Sequence, residues 1–225
     1  MLIFSRIIRS RLLTIVLLII VLLGGMQLLS AFDYRLYMPG NNSGYEPVQP
    51  VAYSHRLHAG ELGLPCLYCH SGAERSRNAG IPAVSICMNC HSYVTAPWNV
   101  VQAENEKADS TGLSAKRIIT AEIQKLYTAI GFGKNGRRDS TAAQTPIAWV
   151  QLHKLPDFVY FNHAVHVTKG VACQTCHGEV QTMERVRQVE DLSMGWCVNC
   201  HRDVTANGVN GKPANAPVDC SVCHY

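Results

Sequence analysis

All ten cysteines of this 225-residue chain fall in five copies of one pattern, Cys-x-x-Cys-His. The copies are Cys66, Cys69 and His70; Cys87, Cys90 and His91; Cys173, Cys176 and His177; Cys197, Cys200 and His201; and Cys220, Cys223 and His224. Two thiols three positions apart share one side of a helical turn, so both can add to the vinyl groups along one porphyrin edge. The histidine behind the second sulfur then stands under the iron as its proximal ligand. CxxC alone also serves zinc ribbons, redox dithiols and disulfides. With this composition, however, a histidine behind every pair arises by chance on the order of once in ten million. The pattern therefore predicts five covalently bound haem c groups, with no cysteine left for disulfides.

That number of cofactors limits the fold. Fewer than about 40 residues remain per haem, too few to wrap each in an ordinary apolar core, so the haems must supply much of the core themselves. The formal charge of +4 falls to about −6 once two ionised propionates per haem are counted. The basic pI thus implies no nucleic-acid partner.

The N-terminus carries Arg6, Arg9 and Arg11, then an uncharged run from Leu12 to Phe32 that stops at Asp33. Such a run approaches the roughly 20 residues a helix needs to cross a bilayer. A signal peptide cut near Ser30-Ala31 is the competing reading, but the apolar part of a signal is usually only about 7 to 15 residues. The expectation is one uncleaved transmembrane helix, with the arginines in the cytoplasm and the haem domain on the periplasmic side of the cytoplasmic membrane.

The rest divides by motif. Residues 1–32 form the basic end and anchor, 33–91 a first lobe with haems 1 and 2, 92–151 an insert, and 152–225 a second lobe with haems 3, 4 and 5. Tyr53–His70 and Phe161–His177 repeat one plan, an aromatic residue ahead of His-x-x-His and then a haem motif. In the insert, Ser114 is expected to cap an amphipathic helix over 115–130, with Ile118, Ile119, Ile123, Leu126, Tyr127 and Ile130 on one face and Gly131 as the stop. That face reads mainly as packing rather than as a docking stripe. Segments 131–144 and 207–217 read as loops, and β content should be minimal. The fold class is mostly α and irregular, a haem-packed multihaem cytochrome c with lobes like those of class III.

Five histidines lie outside the motifs, matching five sixth coordination positions: His55, His58, His153, His163 and His166. One helical turn separates the members of each His-x-x-His pair, so each ring can reach a different iron and draw two haems together. By local reach His55 serves the first haem and His163 the third, leaving His58 and His166 for neighbours. His153 stands alone and is expected to cross to the first lobe, toward the second haem. The fourth haem has no histidine between its motif and the third, which points to a thioether from Met183, better placed than Met194, and to a raised potential there. In that case one histidine is spare. With every iron six-coordinate no site opens for a small substrate, so the chain carries electrons rather than catalysing on its own.

The phrases YSHRLHAGELGLPCLYCH, ERSRNAGIPAVSICMNCH, EIQKLY, HKLPDFVYFNHAVH and LSMGWCVNCHR resemble the membrane-anchored pentahaem subunit of bacterial alternative complex III. The resemblance covers most of the chain after residue 50; His-x-x-His alone is shared with class III cytochromes c. It implies a respiratory or photosynthetic quinol-oxidising complex with an iron-sulfur subunit beside this chain and polytopic membrane subunits around its anchor. A monohaem cytochrome or copper protein would accept the electrons. Relatives often carry histidine where this chain has Asn78. The alternative function is a self-sufficient, anchored quinol dehydrogenase of the multihaem type.

Overall fold

The computed structural model describes residues 2–31, 42–133 and 135–225. It comprises two compact units, Met1–Met38 and Pro39–Tyr225. The expected domain boundary between residues 32 and 33 lies outside the described residues.

The first unit contains helix α1, Leu2–Ala31. Its described apolar side chains, from Leu13 to Met26, are all exposed. Among the described residues no helix is long and apolar enough to cross a membrane. The anchor is thus not established by the fold.

The second unit is built of short helices joined by irregular chain. They are α2, Cys66–Cys69; α3, Val84–His91; α4, Trp98–Thr111; α5, Ala121–Ala129; α6, His163–Thr168; α7, Gln174–His177; α8, Met194–Asn207; and α9, Cys220–Cys223. A π-helical turn at Arg56–Glu61 and 3-10 turns at Ser71–Glu74 and Val180–Thr182 complete the set. Pairing between extended segments is limited, among the described residues, to isolated bridges such as Val159 with His224. The buried apolar side chains among them are Val51, Ala73, Ala108, Leu126, Tyr127 and Met183. That is far too small a set to hold a domain of this length by polypeptide packing alone.

The insert differs from the sequence expectation. The segment 113–120 is not helical, and the helix begins at Ala121 with Thr120 as its N-cap residue. Ile118 and Thr120 are instead tied to Thr95: the Thr95 hydroxyl donates to the Ile118 carbonyl at 2.5 Å and the Thr120 amide to the Thr95 carbonyl at 3.0 Å. β-Branched residues lose rotamer freedom in a helix, so these two long-range bonds outweigh a weak local preference. The C-terminal end is close to expectation, with Ile130 as cap and Gly131 at φ +77°, the left-handed conformation glycine adopts freely.

Helix α4 has no counterpart among the sequence expectations; its face is mostly polar and it ends at Gly112, φ +68°. Helix α5 packs against α3. Tyr127, 1% exposed, donates its hydroxyl to the His91 carbonyl at 2.9 Å, while Arg117 reaches both the Tyr127 hydroxyl and the Ser92 carbonyl at 2.6 Å. On its other side Glu122 accepts from the Ala52 amide and Lys125 donates to the Pro50 carbonyl. The insert therefore clamps the end of the second Cys-x-x-Cys-His motif to the chain that leads into His55.

Candidate functional site

In every motif the two cysteines lie within one helical turn. They occupy α2, α3, α8 and α9 and, for the third motif, α7 with Cys173 in helical conformation at its N-cap. The thiols are exposed or half-buried and none is disulfide-bonded. Both sulfurs of each copy are thus presented together, as dual attachment to one porphyrin edge requires.

The motifs succeed one another through space in an order that differs from the sequence. Cys87 of the second lies beside Cys69 of the first. Cys66 of the first lies beside Cys173 of the third. Burial raises the Cys176 thiol to about 11, and the Cys200 and Cys197 thiols of the fourth motif beside it add to the rise. Cys197 in turn neighbours Cys223 of the fifth. The path runs second, first, third, fourth, fifth.

The two His-x-x-His elements hold the crossing point. The π-helical turn after His55 packs on the 3-10 turn that follows the third motif, and α6 packs on the 3-10 turn that follows the first. The Arg56 amide donates to the Met183 carbonyl at 2.9 Å; the His163 amide donates to the Arg77 carbonyl at 3.2 Å and the Ala164 amide to the Ser76 carbonyl at 3.1 Å. Each half of the repeat thus seats its histidines on the other half's first motif. Tyr53 lies over His58 with centroids 4.4 Å apart and meets His55 edge-on at 4.8 Å. Phe161 repeats both contacts, with His166 at 4.6 Å and His163 at 4.8 Å. The aromatic residue two places before each pair, visible in the sequence, has this job of fixing both rings.

Four of the five histidines outside the motifs lie near a motif histidine. Ring centroids are 6.1 Å apart for His58 and His91, 6.4 Å for His163 and His177, and 6.0 Å for His166 and His201. His55 lies beside His70. Two imidazoles binding one metal from opposite sides at about 2.0 Å, each ring centre about 1 Å behind its nitrogen, stand roughly 6 Å apart. The three pairs with these ring separations therefore fit an iron between them. The Nδ1 atoms agree with this: those of His58, His70, His91, His163, His166 and His201 lie 2.5–2.8 Å from backbone carbonyls. Bonding Nδ1–H to a carbonyl leaves the Nε2 lone pair for a metal. Burial, with His70 and His58 nearby, pushes the pKa of His55 down to about 4; burial, with His163 and His70, does the same to His177. Both rings stay neutral at neutral pH, the form that coordinates.

Three expectations change. His153 does not reach the second motif. Two hydrogen bonds between Gln49 and Val150 do bring its segment to the first lobe, but the ring lies behind His177, 4.4 Å between centroids and perpendicular to it. Neither Met183 nor Met194 is needed at the fourth motif, because His166 faces His201 there. Met183 is buried where its carbonyl meets the turn after His55, and Met194 opens α8 exposed. The five-for-five histidine arithmetic therefore becomes four, and the ring set against His224 is Phe158, 5.7 Å away. What the sequence did not disclose is the hydrogen-bond partners that orient these rings, since backbone carbonyls leave no trace in residue identity.

Helical turns carrying paired thiols, imidazoles set at metal-spanning distances and a sparse apolar core are the arrangement that covalent haem attachment would require. Residues 159–225 match the family described as cytochrome c7 and related cytochrome c. Over 196 residues, 78% of this chain and 76% of the relative, the sequence is 25% identical to the menaquinone reductase multihaem cytochrome c subunit of Nitratidesulfovibrio vulgaris.

Proposed function

We propose that this chain is a membrane-anchored pentahaem electron relay, a subunit of a quinol-oxidising complex of the alternative complex III type. It would take electrons from an iron-sulfur subunit and pass them to a monohaem cytochrome or a copper protein. The observation that carries the reading is the unbroken succession of the five motifs, each with a thiol beside the next. A relative that is a menaquinone reductase subunit supports a quinone-linked role.

A haem c held by each cysteine pair would supply one-electron iron chemistry. The chain's own part is to fix order and ligands. His70 and His55 would hold the first iron, His91 and His58 the second, His177 and His163 the third, and His201 and His166 the fourth, with His224 on the fifth. Carbonyls on Nδ1 and the rings of Tyr53 and Phe161 keep these imidazoles in place. The single apolar run Leu12–Phe32 would anchor the chain among polytopic membrane subunits, with the haem domain periplasmic. Purified holoprotein should give five haems per chain by pyridine haemochrome, stay in the membrane fraction under alkaline carbonate, and be reduced by quinol only within the complex. Fewer than five haems, or recovery in the aqueous phase, would defeat it.

A second reading, a self-sufficient quinol dehydrogenase, is favoured by the position of Phe158 rather than a histidine against His224. Rapid reduction of the isolated subunit by a quinol analogue would establish it over the relay.

A further inference from the structure

Of the eight histidines in the four neighbouring pairs, six turn Nδ1 to a backbone carbonyl, and the Nδ1 of His55 is buried without a hydrogen-bond partner. His177 alone among the eight turns its Nδ1 to another side chain, the Nε2 of His153, at 3.3 Å. A histidine that binds metal through Nε2 carries its proton on Nδ1, so His177 is the donor and His153 Nε2 the acceptor. The same lone pair cannot also bind an iron. His153 is held there from its own backbone, with Gln49 bracketing Val150 and the Gln151 side chain donating to the His153 carbonyl at 3.1 Å.

We propose that His153 is a positioning residue for the third haem site: it ligates no iron, accepts the Nδ1–H of His177, and sets that site's redox potential apart from its neighbours. An imidazole nitrogen is a stronger hydrogen-bond acceptor than a peptide carbonyl, a difference that burial and the nearby His177 reduce at His153 without reversing. It therefore draws the His177 proton more strongly, makes Nε2 a better donor, and favours the oxidised iron. The site stands at the middle of the path, beside the Cys66–Cys173 junction, where a lowered potential acts on transfer in both directions.

The inference rests on the ligation proposed above, and the two fail differently. Were that ligation wrong, the unaltered holoprotein would already show more high-spin iron than one site can give, before any variant is compared. The test is low-temperature EPR and a spectroelectrochemical titration of full-length holoprotein carrying His153→Ala or His153→Gln. The expected result is no new high-spin signal in either variant. One of the redox steps should move to a more positive potential in His153→Ala and return part of the way in His153→Gln, whose amide oxygen can still accept. A new high-spin signal, or new carbon monoxide binding, would make His153 an axial ligand and overturn the proposal; so would five unmoved steps. Should the alanine variant fail to mature, the glutamine variant still separates the two roles by its spectrum, since an amide does not replace imidazole as a low-spin ligand.

Discussion

Tyr127 shows how much one hydroxyl can organise. It is the most buried tyrosine among the described residues, and its proton satisfies the His91 carbonyl at the end of the second motif. Tyr127→Phe leaves that carbonyl without this donor, which costs about 1–3 kcal/mol. A lower denaturation midpoint, with the spectra of the other sites unaltered, is the expected outcome. Replacing Tyr53 with leucine should act differently, loosening His55 and His58 together; EPR should then show disturbed g-values at two sites rather than one, whereas a single altered site would argue against a shared support. At this scale much is legible in the sequence. That His55 and His163 should serve the next motif follows from short reach, and that His58 and His166 should turn to neighbours follows from three-residue spacing, both written there. The place of His153 follows from a hydrogen bond to a ring 24 positions away, and nothing local to HKLPDFVYF encodes that choice.

Among the elements, the π-helical turn at Arg56–Glu61 is the most exacting. Such turns are rare and often found at functional positions; this one places His58 and then brings Gly60 against the Gln181 carbonyl. A Cβ on Gly60 would clash with that oxygen, which is backbone and cannot rotate away. Gly60→Ala should cost about 1–3 kcal/mol and reduce haem retention at the first and second sites, measured by haem-to-protein ratio after purification. Glycine in this phrase reads like a loop marker, because the partner surface comes from far downstream in the chain. Helix α5 offers a pH test. Its Glu122 carboxyl is held below its ordinary 4.5 by hydrogen bonds from Lys125 and the Ala52 amide. The stability it gives is therefore complete above that value and lost as pH falls through the lower folded one. Acid unfolding of Glu122→Gln should lack this component; identical acid profiles would show the contact to be idle. The start of α5 is hidden in the sequence because apolar periodicity continues through Ile118 and Ile119, while the Ile118 carbonyl is bonded to Thr95 instead.

Across the whole molecule the path second, first, third, fourth, fifth has one central joint. Replacing Cys173 and Cys176 with alanine removes the third attachment site and should split the path into a pair at each end. Rapid reduction from one end would then leave the far pair oxidised, giving two kinetic phases in place of one; uniform reduction would mean the path is not linear. The motifs and the duplication are visible in the sequence, while the order is not, since the joint links segments that lie far apart along the chain. Crossed seating of the two histidine turns has a further result for the way this protein can be taken apart. A fragment ending before the second repeat would keep His55 and His58 but lose the shelf at 180–183 that steadies them, and the complementary fragment would lose the ledge at Ser76 and Arg77. Neither piece keeps both supports; the duplicated halves are interlocked.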